Sequence, residues 1–258
     1  MRSALDDAVR AIYLEYTRKF PRQAQLPENL VAKAKEDIQN LPALLGKRVL
    51  EVGPGDGSLA REMEERGATV SALDLVDTYL SQLSSELSGS VYEADIQQPF
   101  VDASPPPPKS WDMVTLCDVL EHVVRPGDAL IAVRELLDDK GLLYVRSPSH
   151  ETLAKYALQN GCEAEMTHLR TYTLGLLKRE LFDAGYKIVS SGFMRTHSEP
   201  TLWLAELLTK LKPGSLFFKF WWLVRDNLRH RGVPALPIRL LHKLVTHPGE
   251  VWVLARAG

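Results

Sequence analysis

The chain is poor in cysteine, in net charge and in long apolar runs, and each shortage excludes something. Two cysteines in 258 residues, Cys117 and Cys162, supply neither a disulfide framework nor a zinc-binding pattern, so a reducing cytoplasm is the expected setting. The longest apolar stretch, Leu216 to Val224, is broken by Lys219 and falls far below the roughly 20 residues that a membrane span requires. The N-terminal segment carries Asp6, Asp7 and Glu15 and no continuous apolar run, so no secretory signal is expected. A net charge of −2 excludes a uniformly basic, polyanion-binding surface. What is present is an ordinary globular balance, 45% hydrophobic and 25% charged, enough to bury the core of one large domain.

The near-neutral total conceals an asymmetry. Residues 201–248 hold eight Lys or Arg against Glu206 and Asp226, together with six of the twenty aromatic side chains. Leu216 to Phe218 and Phe220 to Val224 are apolar nearly all round, which points to burial rather than to a simple surface helix. The segment reads as a helical insertion before the last strand. It can be a lid that shapes a substrate pocket, or a peripheral contact with a membrane through aromatic and basic residues. Nucleic acid is disfavoured, because the aromatics form one mass instead of being interleaved for base stacking.

The rest of the chain alternates apolar strands with amphipathic helices. Helices are expected over 3–19, 28–40, 127–138 and 173–184, and strands over 90–94, 112–117, 141–146, 186–193 and 249–257, while 48–75 opens with an apolar strand that leads through a glycine turn into a charged amphipathic helix. A further strand closes the segment 48–75, and Pro105–Pro108 must be an extended surface loop. The predicted fold is α/β, a doubly wound, mostly parallel, seven-stranded Rossmann-like sheet. Four parts are expected: an N-terminal helical cap over 1–44, a core over 45–199, the insertion over 200–248, and the last strand over 249–258.

Four elements fall at the carboxyl ends of strands, where open parallel sheets bind ligands. Glu51, Gly53, Gly55, Asp56 and Gly57 form a glycine turn that opens a helix. Ser58 stands where a dinucleotide fingerprint wants Gly or Ala, and Asp56 would repel a pyrophosphate, so the turn suits a ligand with a positive end and no phosphates. Asp74, beside Leu75, lies 21 residues after Gly53, where a carboxylate can accept both hydroxyls of a ribose. Asp95 and Ile96 end the third strand, suited to an adenine amino group and ring. Cys117 and Asp118 end the fourth, followed by Glu121 and His122.

Together the segments VLEVGPGDG (49–57), ALDLVD (72–77), EADI (93–96), WDMVTLCDVLEHV (111–123) and HLRTYTLGLLKRELFDAGYKI (168–188) resemble the class I S-adenosylmethionine-dependent methyltransferases, within them the small-molecule group that includes ubiquinone- and menaquinone-pathway enzymes. The resemblance implies S-adenosylmethionine as methyl donor and S-adenosylhomocysteine as product. It implies that Glu51 and the Gly53–Gly57 backbone line the methionine end, Asp74 with Leu75 the ribose, Asp95 with Ile96 the adenine, and Cys117 with Asp118 the sulfonium side. The acceptor is expected to be small or lipid-like and methylated on oxygen rather than nitrogen or carbon, by a cytoplasmic protein that can touch the inner membrane face.

A hydroxyl acceptor must lose a proton, so His122, expected at a helix start, is the leading candidate base, and His168 a second. Two contrasting readings remain open: a non-catalytic scaffold that binds the same ligand, and a metal-assisted methyltransferase acting on RNA ends. In the latter Asp118, Glu121 and His122 with His150 or His168 would hold a divalent ion, as in the small-RNA 3′-terminal methyltransferases. No metal is expected in the main reading, since carboxylates and histidines this close are also ordinary helix starts.

Overall fold

The computed structural model describes residues 4–19, 27–98, 106–149, 168–194, 198–200 and 246–258. Cys162, His150 and nearly all of the basic aromatic insertion lie outside these residues.

Strands β1 (Arg48–Val52), β2 (Thr69–Asp74), β3 (Val91–Glu93), β4 (Trp111–Cys117), β5 (Leu137–Pro148), β6 (Tyr186–Phe193) and β9 (Glu250–Ala257) form one seven-stranded sheet. Its order is β3-β2-β1-β4-β5-β9-β6. The β1–β2, β1–β4, β2–β3 and β4–β5 pairs are parallel, while β9 runs antiparallel to both β5 and β6. The mostly parallel doubly wound sheet is thus present, with its last strand inserted between β5 and β6 instead of capping an edge. A separate ribbon pairs β7 (Ser198–Pro200) with β8 (Thr246–Pro248).

The central strands are apolar because both faces are covered, and successive residues serve opposite sides. Leu50, Leu73 and Val114 pack with Leu130 and Val133 of α5 (Pro126–Leu136) and with Leu177 and Leu181 of α6 (Leu174–Asp183). Their neighbours Val49, Ala72 and Met113 face the other layer. There they meet Ala34 and Ile38 of α2 (Pro27–Asn40), Leu59 and Met63 of α3 (Ser58–Glu64), and Leu80 and Leu83 of α4 (Asp77–Leu83). Helix α1 (Ala4–Lys19) precedes them.

Two local departures from expectation have physical causes. Strand β5 begins at Leu137, straight after α5, because Leu137 pairs with Trp111 and Ser110 N–H donates to the Leu136 carbonyl at 2.8 Å. The chain therefore turns extended before Gly141 is reached. His122 does not start a helix: it ends a single 3-10 turn, Leu120–His122, and α5 begins at Pro126, where a fixed φ and a missing N–H suit the first helical turn.

Strand order reverses between β1 and β4, whose outer neighbours are β2 and β5. Such a switch point leaves a crevice outside the carboxyl ends of the strands.

Candidate functional site

A cavity of about 390 Å³ occupies this crevice. Glu51, Gly53, Gly55, Asp74, Leu75, Asp95, Ile96, Cys117, Asp118, His122 and His168 all line it, whereas Gly57 does not, and His150 lies outside the described residues. Its volume falls within the range of small-molecule sites.

The turn after β1 is built from left-handed glycines. Gly53 has φ 66°, and a Cβ on it would lie 2.6 Å from Val119 Cγ2, so packing and conformation both demand glycine. Gly55 has φ 51° with open space where a Cβ would stand, so its requirement is conformational. Asp56 accepts from the Ser58 N–H at 3.0 Å and from its hydroxyl at 2.5 Å, which fastens the first residue of α3. Glu51 is buried within the cavity wall.

Asp74, the last residue of β2, is 4% exposed and accepts from the Val76 N–H at 3.1 Å. Burial pushes its carboxyl up to about 6, against the pull of the Val76 and Leu75 backbone bonds. Asp95 and Ile96 sit just beyond β3, which ends at Glu93. Asp95 accepts from the Gln97 N–H at 3.0 Å, and Ile96 is buried in the core.

The end of β4 carries most of the charge. Cys117 is buried, and burial pushes its thiol up, away from reactivity at neutral pH. Asp118 is held at φ 57°, a left-handed conformation that is costly outside glycine. Its carboxylate takes Arg146 at 2.7 Å and Lys33 at 3.3 Å. Burial opposes ionisation there, but these two cations win and hold the carboxyl far below the usual range. Arg146 also bonds Asp37 at 2.5 Å, Lys33 pairs with Glu250, and the Tyr144 hydroxyl donates to Asp37 at 2.7 Å. This buried network joins α2 to the ends of β4, β5 and β9. Sequence reasoning did not find it. The signals were a lone arginine in the apolar strand GLLYVR and the i,i+4 pair Lys33 and Asp37 on α2.

Beyond Asp118 the 3-10 turn brings a second cluster together. The rings of His122 and His168 meet edge to face at 4.7 Å, and Tyr13 of α1 packs on His122 at 5.7 Å. Potential ligand atoms of Glu121, His122 and His168 lie within 4.8 Å of one another. Glu121 is fully buried, accepts from the Ser147 hydroxyl at 3.0 Å, and is pushed up to about 8, first by burial and then by Asp118. The turn is gripped from outside. Arg170 donates to the carbonyls of Leu120 at 3.0 Å, Val124 at 3.1 Å and Val123, while Leu169 N–H donates to Glu121 O at 2.8 Å. The Leu120 carbonyl also accepts from the Val123 N–H at 3.3 Å, and the guanidinium adds donors along the exit of the turn.

Comparison with known proteins agrees with this geometry. Residues 22–191 match the family described as methyltransferase domain. A ubiquinone biosynthesis O-methyltransferase of Paracidovorax citrulli is 32% identical over 145 residues, 55% of this chain and 57% of that protein. The enzyme of the same name from Azotobacter vinelandii is 32% identical over 147 residues, 57% of this chain and 60% of that protein. The match thus spans less than two thirds of either relative. Among solved structures, a SAM-dependent methyltransferase from Archaeoglobus fulgidus superposes with a TM-score of 0.59 at 18% identity, covering 94% of this chain and 98% of that one.

Proposed function

The chain belongs to the methyltransferase-domain family of class I S-adenosylmethionine-dependent enzymes, and on that premise we propose that it methylates a hydroxyl oxygen of a small, lipid-like acceptor. The observation that carries this reading is the convergence of four strand-end elements on one cavity. The donor set fits the ligand. The glycine turn leaves open space over Gly55, Asp74 offers a buried carboxylate for a ribose, and Asp118 Oδ1 and Glu121 Oε1 are buried with no hydrogen-bond partner among the described residues. An ionised, buried oxygen such as Asp118 Oδ1 favours a cationic group. Gly53–Gly57 and Glu51 hold the methionine end, Asp74 and Leu75 the ribose, Asp95 and Ile96 the adenine, and Cys117 and Asp118 the sulfonium side.

S-Adenosylmethionine, when bound, supplies a methyl group already activated on sulfur, and S-adenosylhomocysteine is what remains. The work left to the chain is alignment and removal of one proton. His122 takes that proton on an imidazole nitrogen as the acceptor oxygen forms its bond to carbon. His168 and Tyr13 hold the imidazole between them, and Arg170 fixes the turn that carries it. The names of the two relatives support oxygen as the methylated atom and a lipid-like acceptor. The basic aromatic segment 201–248 is assigned to the acceptor side, as a lid or as a contact with a membrane face.

The test is direct. S-Adenosylhomocysteine should bind in titration calorimetry, and phenolic acceptors incubated with the protein and S-adenosylmethionine should gain one methyl mass. Binding without transfer to any phenol would instead support a scaffold. One observation favours a second reading, in which a divalent cation assists: Glu121, His122 and His168 together offer three convergent ligands. Transfer that survives exhaustive chelation and is not raised by added Mg²⁺, Mn²⁺ or Zn²⁺ removes that reading.

A further inference from the structure

Arg146 closes the apolar run 142–145 of β5 and is only 6% exposed, a place where a strand covered on both faces calls for an apolar side chain. A buried ion pair is weak support for a fold, because well-packed apolar residues in its place are often as stable or more so. Its donors are nonetheless all directed. Nη1 bonds Asp37 of α2 at 2.5 Å, Nη2 bonds Asp118 at 2.7 Å, and Nε faces Glu250 of β9 at 3.5 Å. The main chain adds one more bond, since the Arg146 carbonyl accepts from the Asp118 N–H at 3.0 Å. Asp118 is thereby held by backbone and side chain through one residue.

The grip acts on one oxygen of the carboxylate. Arg146 and Lys33 both bond Oδ2, while Oδ1 is buried in the cavity wall with no hydrogen-bond partner among the described residues. Each cation also serves a second carboxylate, Asp37 for Arg146 and Glu250 for Lys33, so three carboxylates face two cations. At pH 8, above the value of about 7 to which burial pushes Asp37, the cluster keeps a surplus negative charge. Two of its oxygens lack a hydrogen bond, Asp118 Oδ1 and Glu250 Oε2, and the latter lies 3.5 Å from Arg146 Nε. The surplus is therefore available at Oδ1. The same grip reaches the glycine turn. Asp118 stands at φ 57°, and Cγ2 of the next residue, Val119, would lie 2.6 Å from a Cβ on Gly53. Fixing the backbone of Asp118 thus also fixes the side chain that packs on this turn.

We propose that Arg146 is a positioning residue for the methyl donor: by holding Asp118 through backbone and carboxylate together, it presents Oδ1 to the donor's positive charge and so sets the preference of the cavity for the cationic donor over its neutral product. This rests on the methyltransferase reading above and adds to it the residue that separates donor from product. Transfer of the methyl group turns a sulfonium into an uncharged thioether, so charge is the main difference between the two ligands. An anion fixed in place beforehand needs no reorganisation when the cation arrives. Arg146 acts through Asp118, because both of its Nη groups are already bonded to protein carboxylates.

The full chain is titrated at pH 8 with S-adenosylhomocysteine and with sinefungin, which carries an ammonium group in place of the methylated sulfur and transfers nothing. The readout is the preference for sinefungin, the ratio of the two dissociation constants, so it does not depend on turnover. The wild type should prefer sinefungin, and Asp118→Asn and Arg146→Met should each lower that preference by about tenfold or more. Arg146→Lys keeps the charge but has no fork to span Asp37 and Asp118, and should lower the preference by about threefold. In the Asp118→Asn background Arg146→Lys should change the preference no further, as a residue acting through Asp118 requires. A wild type without preference for sinefungin overturns the proposal. So does a proportional loss of both ligands in the Arg146 variants, the mark of a merely structural arginine, and so does a further fall in the double variant. Where Arg146→Met does not fold, Arg146→Lys and the double variant decide by themselves. Failure of both ligands to bind the wild type defeats the methyltransferase reading and the proposal with it, a result distinct from all of these.

Discussion

In the proposed function, Asp74 pits stability against ligand binding within one side chain. Its folded pKa of about 6 lies above the ordinary value of 3.8, so ionising it works against the fold. Its contribution to stability is complete below pH 3.8 and is lost as pH rises through about 6. Asp74→Asn should therefore raise stability by about 3 kcal/mol at pH 8 and by only about 0.5 kcal/mol at pH 4, read by chemical denaturation at the two pH values. The same substitution should weaken S-adenosylhomocysteine by on the order of tenfold to a hundredfold, because the ribose hydroxyls lose a charged acceptor. Unchanged affinity would show that the ribose lies elsewhere. Arg146 is the opposite case. Replaced by Met, it leaves Asp37, Asp118 and Glu250 without their shared cation, and the loss should be about 3–5 kcal/mol. A variant as stable as the wild type would show that the carboxylates take up protons at little cost.

At the scale of elements, the 3-10 turn and the strand-end glycine turn differ in what holds them. The glycine turn is local: three left-handed glycines and the Asp56–Ser58 bonds lie within a few residues, and for that reason its sequence alone revealed it. The strand-end acids were legible for the same reason, since parallel strands place their carboxyl ends in register. The position of His122 was not legible as a turn end, because the turn's shape depends on Arg170, some fifty residues downstream, closing over its carbonyls. The charge network was hidden more deeply still, with Asp37 and Arg146 separated by 109 positions and joined only when α2 docks. Arg170→Ala should lower kcat by about tenfold to a hundredfold through misplacement of His122, while S-adenosylhomocysteine affinity holds within about twofold. Arg170→Lys, with one rotatable donor group in place of a fork, should recover only part of the loss. A kcat equal to wild type in Arg170→Ala removes Arg170 as a positioning residue.

Over the whole molecule, the proposed function divides donor and acceptor duties between different stretches of chain. Its donor side comes from β1 to β4 and their turns. The acceptor side is drawn from α1, the residues around His168 and, in the reading proposed above, the segment 201–248. Among the described residues no helix is long and apolar enough to cross a membrane. The proposed contact with a bilayer is by that basic aromatic segment, and flotation with anionic vesicles measures it. Replacing 202–244 by Gly-Asn should leave S-adenosylhomocysteine affinity within about twofold while abolishing both flotation and transfer to lipid-like acceptors. Loss of S-adenosylhomocysteine binding with the sheet intact would refute that division.

The feasibility of that excision rests on the ribbon of β7 and β8. Ser198 faces Pro248 and Pro200 faces Thr246, so the chain departs from the sheet and returns to it through two adjacent strands, about 5 Å apart. Both ends of the stretch 201–245 are thus fixed at one ribbon, and its replacement is expected to leave the register of β9 between β5 and β6 as it is. In the proposed reading, a change of methyl acceptor can then proceed within that stretch while the donor pocket at the far strands stays as it is.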